Sequence, residues 1–194
     1  MKRIKSEILL DDLMDDVRKI IAASPRLTAL PDDILQAQPS PGQWSVAQTI
    51  EHLNFYSRYY LKAIEEALHR NQSQPADIFK SGWFGNYFTK MMKPSADNTV
   101  KNKMKTMKSA IPDININGQE VLKQFIADQH VLLNLLQIAR SANLNKLRVP
   151  TSISKMIKLK LGDTFRFFIA HEQRHFIQIS NALLSYKQQY QPSK

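Results

Sequence analysis

Apolar positions recur along this chain at helical spacing in four long stretches. From Ser6 to Ala23, the residues Leu9, Leu10, Leu13, Val17, Ile20 and Ile21 form one stripe, and Pro25 follows its end. Ser45 and Gln48 have the spacing of a capping box, which predicts a second helix reaching about Arg70. Its inward stripe is Val46, Ile50, Leu53, Tyr60, Leu61, Ile64 and Leu68. Asn117, with Glu120 three residues on, opens a third helix from about Gly118 to Ala142. Val121, Leu122, Phe125, Ile126, Leu132, Leu133, Leu136 and Ile138 are expected to supply its buried surface. The fourth begins near Gly162-Asp163 and runs to about Lys187, with Phe165, Phe168, Ile169, Phe176, Ile179, Leu183 and Tyr186 as its stripe.

The segments between are broken by proline. Pro31, Pro39 and Pro41-Gly42 make an irregular connector between Leu30 and Gln43, and Pro150 interrupts a later one rich in Ser and Lys. Asn71 to Pro112 is the least regular stretch. It holds an aromatic group (Phe79, Trp83, Phe84, Tyr87, Phe88), then Met91-Met92-Lys93-Pro94, and has room for one short helix. With five glycines and few alternating β-branched runs, the pattern predicts an all-α four-helix bundle. An irregular connector joins its second and third long helices, and 194 residues make one domain over 1–194.

Charge sets the sign of the partners. There are 27 basic and 17 acidic residues, a net of +10, which draws anions of any kind. Lys80, Lys90, Lys93, Lys101, Lys103, Lys105 and Lys108 concentrate this charge, with Asp97 the one acid between Lys80 and Lys108. A solvated face explains them first, and an anion-binding rim over a pocket second. Trp83, Phe84, Tyr87 and Phe88 are expected to cap the bundle or form a dimer contact. No recognition helix or other nucleic-acid module is visible, so nucleic acid is not an expected partner. No apolar run approaches the ~20 residues that span a bilayer. The start of the chain runs into Asp11, Asp12, Asp15 and Asp16, without the apolar region of a signal peptide. A cytoplasmic protein that uses no membrane is the expectation.

Cysteine is absent, so any bound metal must take His or carboxylate ligands. His171 and His175 stand four apart in Ala170-His171-Glu172-Gln173-Arg174-His175-Phe176, on one helix face and one turn apart. With the distant His52 they could make a three-histidine site that leaves a coordination position for water or substrate. The pair alone also fits two half-buried bundle residues. His69, at a helix end, reads as solvated, and His130 lies off the main stripe. His-Glu-x-x-His is also the zincin protease pattern, but Phe176 to Lys194 contain no Asp, Glu or His to complete it. Glu172 is then a residue behind the ligands or on the surface. Tyr56, Tyr59 and Glu51 lie near His52 by helical spacing, and none stands out as a general base.

Two segments together carry a resemblance. Pro41-Gly42-Gln43-Trp44-Ser45-Val46-Ala47-Gln48-Thr49-Ile50-Glu51-His52-Leu53 and Leu161-Gly162-Asp163-Thr164-Phe165-Arg166-Phe167-Phe168-Ile169-Ala170-His171-Glu172-Gln173-Arg174-His175-Phe176-Ile177-Gln178-Ile179 resemble the DinB-like (DinB/YfiT-type) superfamily over about Leu30 to Tyr186. The first matches a Trp-Ser helix start with a His one to two turns on, the second an Ala-His-x-x-x-His-x-x-Gln-Ile helix. The resemblance implies an up-and-down-type bundle, often a homodimer, holding a divalent metal, usually zinc or nickel, on His52, His171 and His175. It implies a metal-dependent hydrolase acting through metal-bound water on a small molecule, for which the basic rim would suit an anion. The alternatives are an S-transferase that activates an external low-molecular-weight thiol such as bacillithiol, and a binding protein without catalysis. The longer, more basic Asn71 to Pro112 region departs from the family pattern.

Overall fold

The computed structural model describes residues 3–95 and 105–190, the side chains of 189 and 190 excepted. Lys101, Lys103 and Asp97 lie outside the described residues. Helices dominate: α1 (Ser6–Ala23), the short α2 (Pro25–Thr28) and α3 (Asp32–Gln36), α4 (Val46–His69), α5 (Trp83–Met92), α6 (Gly118–Ile138) and α7 (Leu161–Tyr190). Two antiparallel strand pairs accompany them: β1 (Arg3–Lys5) with β2 (Ile78–Lys80), and β3 (Arg148–Pro150) with β4 (Lys158–Lys160). The all-α bundle is as expected.

Local chemistry sets the helix starts. Ser45 Oγ accepts from the Gln48 backbone N–H at 3.1 Å while Gln48 Oε1 accepts from the Ser45 N–H at 3.0 Å, so the capping box satisfies two orphan donors of α4. Asn117 accepts from the Glu120 N–H at the start of α6, and Asp32 of α3 accepts from the Gly118 N–H at 2.7 Å.

Two apolar clusters define the ends of the bundle. One joins Leu9, Leu13, Ile64, Leu68, Leu132, Leu136, Phe165 and Phe168, and the other joins Ile20, Val46, Ile50, Leu122, Phe125 and Ile179. The order of these residues fixes the directions. α4 runs opposite to α1 and α7, and α6 runs the same way as α4. The simple up-and-down order expected for the bundle is therefore corrected at one step. Adjacent helices with a short link reverse direction, whereas α5, within the long connection between α4 and α6, returns along the bundle and lets α4 and α6 lie parallel.

That connection is also more regular than its Pro and Lys content suggests. β2 pairs with β1, and α5 packs along α7 as a fifth helix in the same direction. Strands of three residues carry too little periodicity to be read from sequence, and tertiary pairing decides them. One further expectation fails, and one is narrowed to its dimer-contact alternative. Ile138 is 45% exposed, and Trp83, Phe84 and Tyr87 are exposed rather than capping the bundle, while Phe79 is buried.

Asp163, 1% exposed, ties α5 to α7. Its Oδ1 accepts from Ser81 Oγ at 2.6 Å and from Arg166 at 3.0 Å, and its Oδ2 accepts from the Gly82 N–H at 2.7 Å. The approach needs a glycine, since a Cβ at Gly85 would stand 2.3 Å from Asp163 Cγ. Gly85→Ala should therefore lower stability by about 1–3 kcal/mol through overpacking. Urea unfolding monitored by circular dichroism checks this, and an unchanged midpoint would contradict the close α5–α7 contact.

Candidate metal centre

The middle of the bundle, between the two apolar clusters, is polar. His52 comes from α4 and His171 and His175 from α7, with 3%, 6% and 9% of their surfaces exposed. One ring nitrogen from each lies within 4.8 Å of the others. Helical periodicity places the pair on one face of α7, and the antiparallel packing of α4 sets His52 opposite.

Hydrogen bonds fix which nitrogens are available. A carbonyl can only accept, so His52 Nδ1, 2.9 Å from Ala110 O, carries the hydrogen and leaves Nε2 with its lone pair. His175 Nδ1 donates in the same way to Gln178 Oε1 at 3.0 Å. Its bare Nε2 then faces His171 Nε2 at 3.1 Å. Either a proton or a cation has to lie between these two nitrogens, because two lone pairs at that distance repel. Nitrogens ~2.0–2.1 Å from a tetrahedral ion sit roughly 3.3 Å apart, close to the separation found. The separations from His52, both within 4.8 Å, close with a shift of at most roughly 1.5 Å, within reach of a side-chain rotation. The donor set thus fits a divalent metal.

Electrostatics point the same way. Burial lowers the pKa of all three rings; for His171 the neighbouring His175 and His52 add to it, and for His175 burial and His52 bring it to about 3. All three are neutral near pH 7, the state in which imidazole binds metal.

The histidines open into a cavity of about 650 Å³. The Ser40–Gln43 turn, closed by a Gln43 N–H to Ser40 O bond of 3.0 Å, places Pro41 and Gly42 at its centre. Gly42 has φ +80°, which the type II geometry requires and side chains resist. This turn delivers Trp44, whose ring centre lies 4.8 Å from that of His52. Tyr56 stands edge-on to His52 and His171, at 5.0 and 4.9 Å, and burial raises its pKa so that it keeps its proton. Arg174, Lys105, Met92, Gln178 and Asn181 complete the mouth.

Not every candidate reaches the site. His69 and His130 are exposed and Tyr59 bonds to Thr151 O instead, while Glu51 pairs with Arg58. Glu172 is not a surface residue. It is fully buried, pointing to α6 rather than the cavity, and Gln129 Nε2 donates to its Oε1 at 2.8 Å. Burial pushes its pKa up to about 8, with Asp128 adding to the rise. Gln129 Oε1 and Glu172 Oε2 have no partner among the described residues, and the neutral acid carries the donor hydrogen this pair otherwise lacks. Gln178 was legible, standing one turn after His175; Lys105, one of the lysines read as an anion-binding rim, does reach the mouth, whereas Met92 comes from the connector and gave no signal.

The DinB superfamily model matches residues 19–179. No curated protein and no solved structure matches the chain.

Glu172 yields a pH-dependent prediction. Its folded pKa, about 8, exceeds the usual 4.5, so between these values the folded state holds a proton the unfolded chain has released. Wild-type stability is thus fully present below pH 4.5 and eroded as pH rises to about 8. Glu172→Gln should gain on wild type over that window, by on the order of a few kcal/mol, with no gain below it. Unfolding midpoints that track each other across pH 5 to 8 would contradict this.

Proposed function

Since the chain belongs to the DinB superfamily, we propose that it is an enzyme that holds a divalent ion, zinc or nickel, on His52, His171 and His175 and hydrolyses a small anionic substrate. The observation that carries this reading is the group of three buried, neutral imidazoles at the floor of an open cavity. A bound divalent ion supplies Lewis acidity and lowers the pKa of a water or thiol that coordinates it.

The chain's own residues do the rest. Ala110 O and Gln178 Oε1 hold the His52 and His175 rings in the tautomer that presents Nε2. Trp44 and Tyr56 wall the site and limit water, and Tyr56, still protonated, can donate a hydrogen bond to a bound oxygen. Arg174 and Lys105 place positive charge at the mouth, suited to a carboxylate or phosphate.

One observation favours a second reading. No carboxylate lines the cavity among the described residues, so no side chain there is suited to take a proton from water. Transfer of a low-molecular-weight thiol suits such a site better, because a thiol is far more acidic than water to begin with and gives up its proton on binding without a base. Without cysteine in the chain, that thiol comes from outside.

Elemental mass spectrometry tests the site. Wild type should carry about one equivalent of zinc or nickel, and His52→Ala and the His171→Ala, His175→Ala double variant much less. Equal metal in wild type and double variant would overturn the assignment. Product analysis with and without added thiol then separates the readings, since hydrolysis proceeds without it and transfer does not.

A further inference from the structure

The outer face of α5 and the tip of the β3–β4 hairpin expose large apolar side chains that the metal site does not use. On α5, Trp83, Phe84 and Tyr87 are 69%, 57% and 54% exposed. At the hairpin tip, Ile153, Met156 and Ile157 are 64%, 93% and 40% exposed. The tip is not loose. Ile157 O accepts from the Thr151 N–H, Ser154 O accepts from Thr151 Oγ1 and from the Ile157 N–H, and Tyr59 and Tyr60 of α4 anchor Thr151 and Ser152. A pinned turn therefore holds these apolar side chains in solvent.

The base of the hairpin lies beside the start of α5. Lys160, at the base of the hairpin, donates to Lys80 O at 2.6 Å, just before α5. A ladder of rings, Tyr60–Phe167–Phe88–Tyr87–Trp83, with steps of 6.0, 6.1, 5.6 and 6.0 Å, runs from the hairpin anchor to the exposed tryptophan.

Charge says what covers this face. From Ile78 to Lys93 and from Gln129 to Gly162 the sequence contains no Asp or Glu. Exposed Lys80, Lys90, Lys155 and Lys158 flank the apolar residues along the chain, and none makes an ion pair among the described residues. β1 adds Arg3 directly opposite Lys80, a like-charge pair that a bound anion would relieve. Amphipathic Trp and Tyr, aliphatic tips and unpaired lysines on one face are the chemistry of binding to a headgroup layer.

We propose that this face docks on an anionic lipid surface, with Trp83, Phe84, Tyr87, Ile153, Met156 and Ile157 entering the headgroup region and the lysines meeting lipid phosphates. The contact is peripheral, because no described helix is long and apolar enough to cross a membrane. It revises the expectation of a chain without membrane contact and is independent of the metal reading. Two copies meeting through this face would bring like charges together. Nucleic acid would gain little from Ile153, Met156 and Ile157, which cannot stack on bases.

Sedimentation of the full chain with phosphatidylcholine vesicles, with and without phosphatidylglycerol, tests the proposal. Partitioning should require phosphatidylglycerol, weaken with salt, and fall about tenfold or more in Trp83→Ser, Met156→Ser and in Lys155→Glu, Lys158→Glu. Circular dichroism confirms that these surface variants stay folded. A blue shift of tryptophan fluorescence on binding should vanish in Trp83→Phe. No partitioning, or equal partitioning of wild type and variants, would overturn the proposal. So would light scattering that shows a dimer dissociated by the Trp83, Met156 variant in a protein that ignores vesicles. Salt-sensitive DNA binding lost in the lysine variant, again without vesicle binding, would overturn it too.

Discussion

Burying a polar group costs free energy unless it finds a partner, and this bundle buries a whole layer of them at mid-height. His52, His171 and His175 face one side of that layer, and Asn54, Ser57, Asp128, Gln129 and Glu172 face the seam with α6. The apolar clusters above and below carry the hydrophobic stabilisation that makes such a layer tolerable. On the histidine side the partners are specific: a carbonyl for His52, an amide oxygen for His175, and the third ring for the remaining nitrogen. Desolvation then keeps the rings neutral, so the feature that costs stability also prepares lone pairs for a cation.

The connections supply what the long helices cannot. Because α5 runs along α7, Met92 reaches the mouth of the cavity, and Lys105 and Ala110, further along the same connection, bring a cation to that mouth and a carbonyl oxygen to His52. Asp163 fastens the start of this return path by binding Ser81 and the Gly82 N–H, eight residues before His171 on the same helix. The parallel α4–α6 arrangement follows from the same path. It places Val121 O against Asn54 near the site end, where a reversed α6 would bring its other end.

Much of this was legible in the sequence, for physical reasons that can be named. The Ser45–Gln48 box and the Asn117 cap are local chemistry, complete within four residues, and they set helix starts where expected. His171 and His175 share a face by periodicity alone. Bringing His52 to them required the family resemblance, since nothing local says which helix packs opposite. The three-residue strands, the parallel step and the outward turn of Trp83, Phe84 and Tyr87 depend on long-range pairing. Glu172 illustrates the limit: its neighbour His171 faces the cavity, yet one 100° step around α7 turns Glu172 into the core, where Gln129, distant in sequence, receives it.

Whether the three buried rings are neutral and bind a metal through Nε2 can be read from histidine nitrogen chemical shifts, measured by NMR on uniformly 15N-labelled protein before and after one equivalent of zinc. The rings should be neutral at pH 7, with His52 and His175 protonated at Nδ1, and zinc should shift Nε2 of His52, His171 and His175 while His69 and His130 stay unchanged. Imidazolium signals from the buried rings, or zinc that leaves their Nε2 resonances in place, would contradict this.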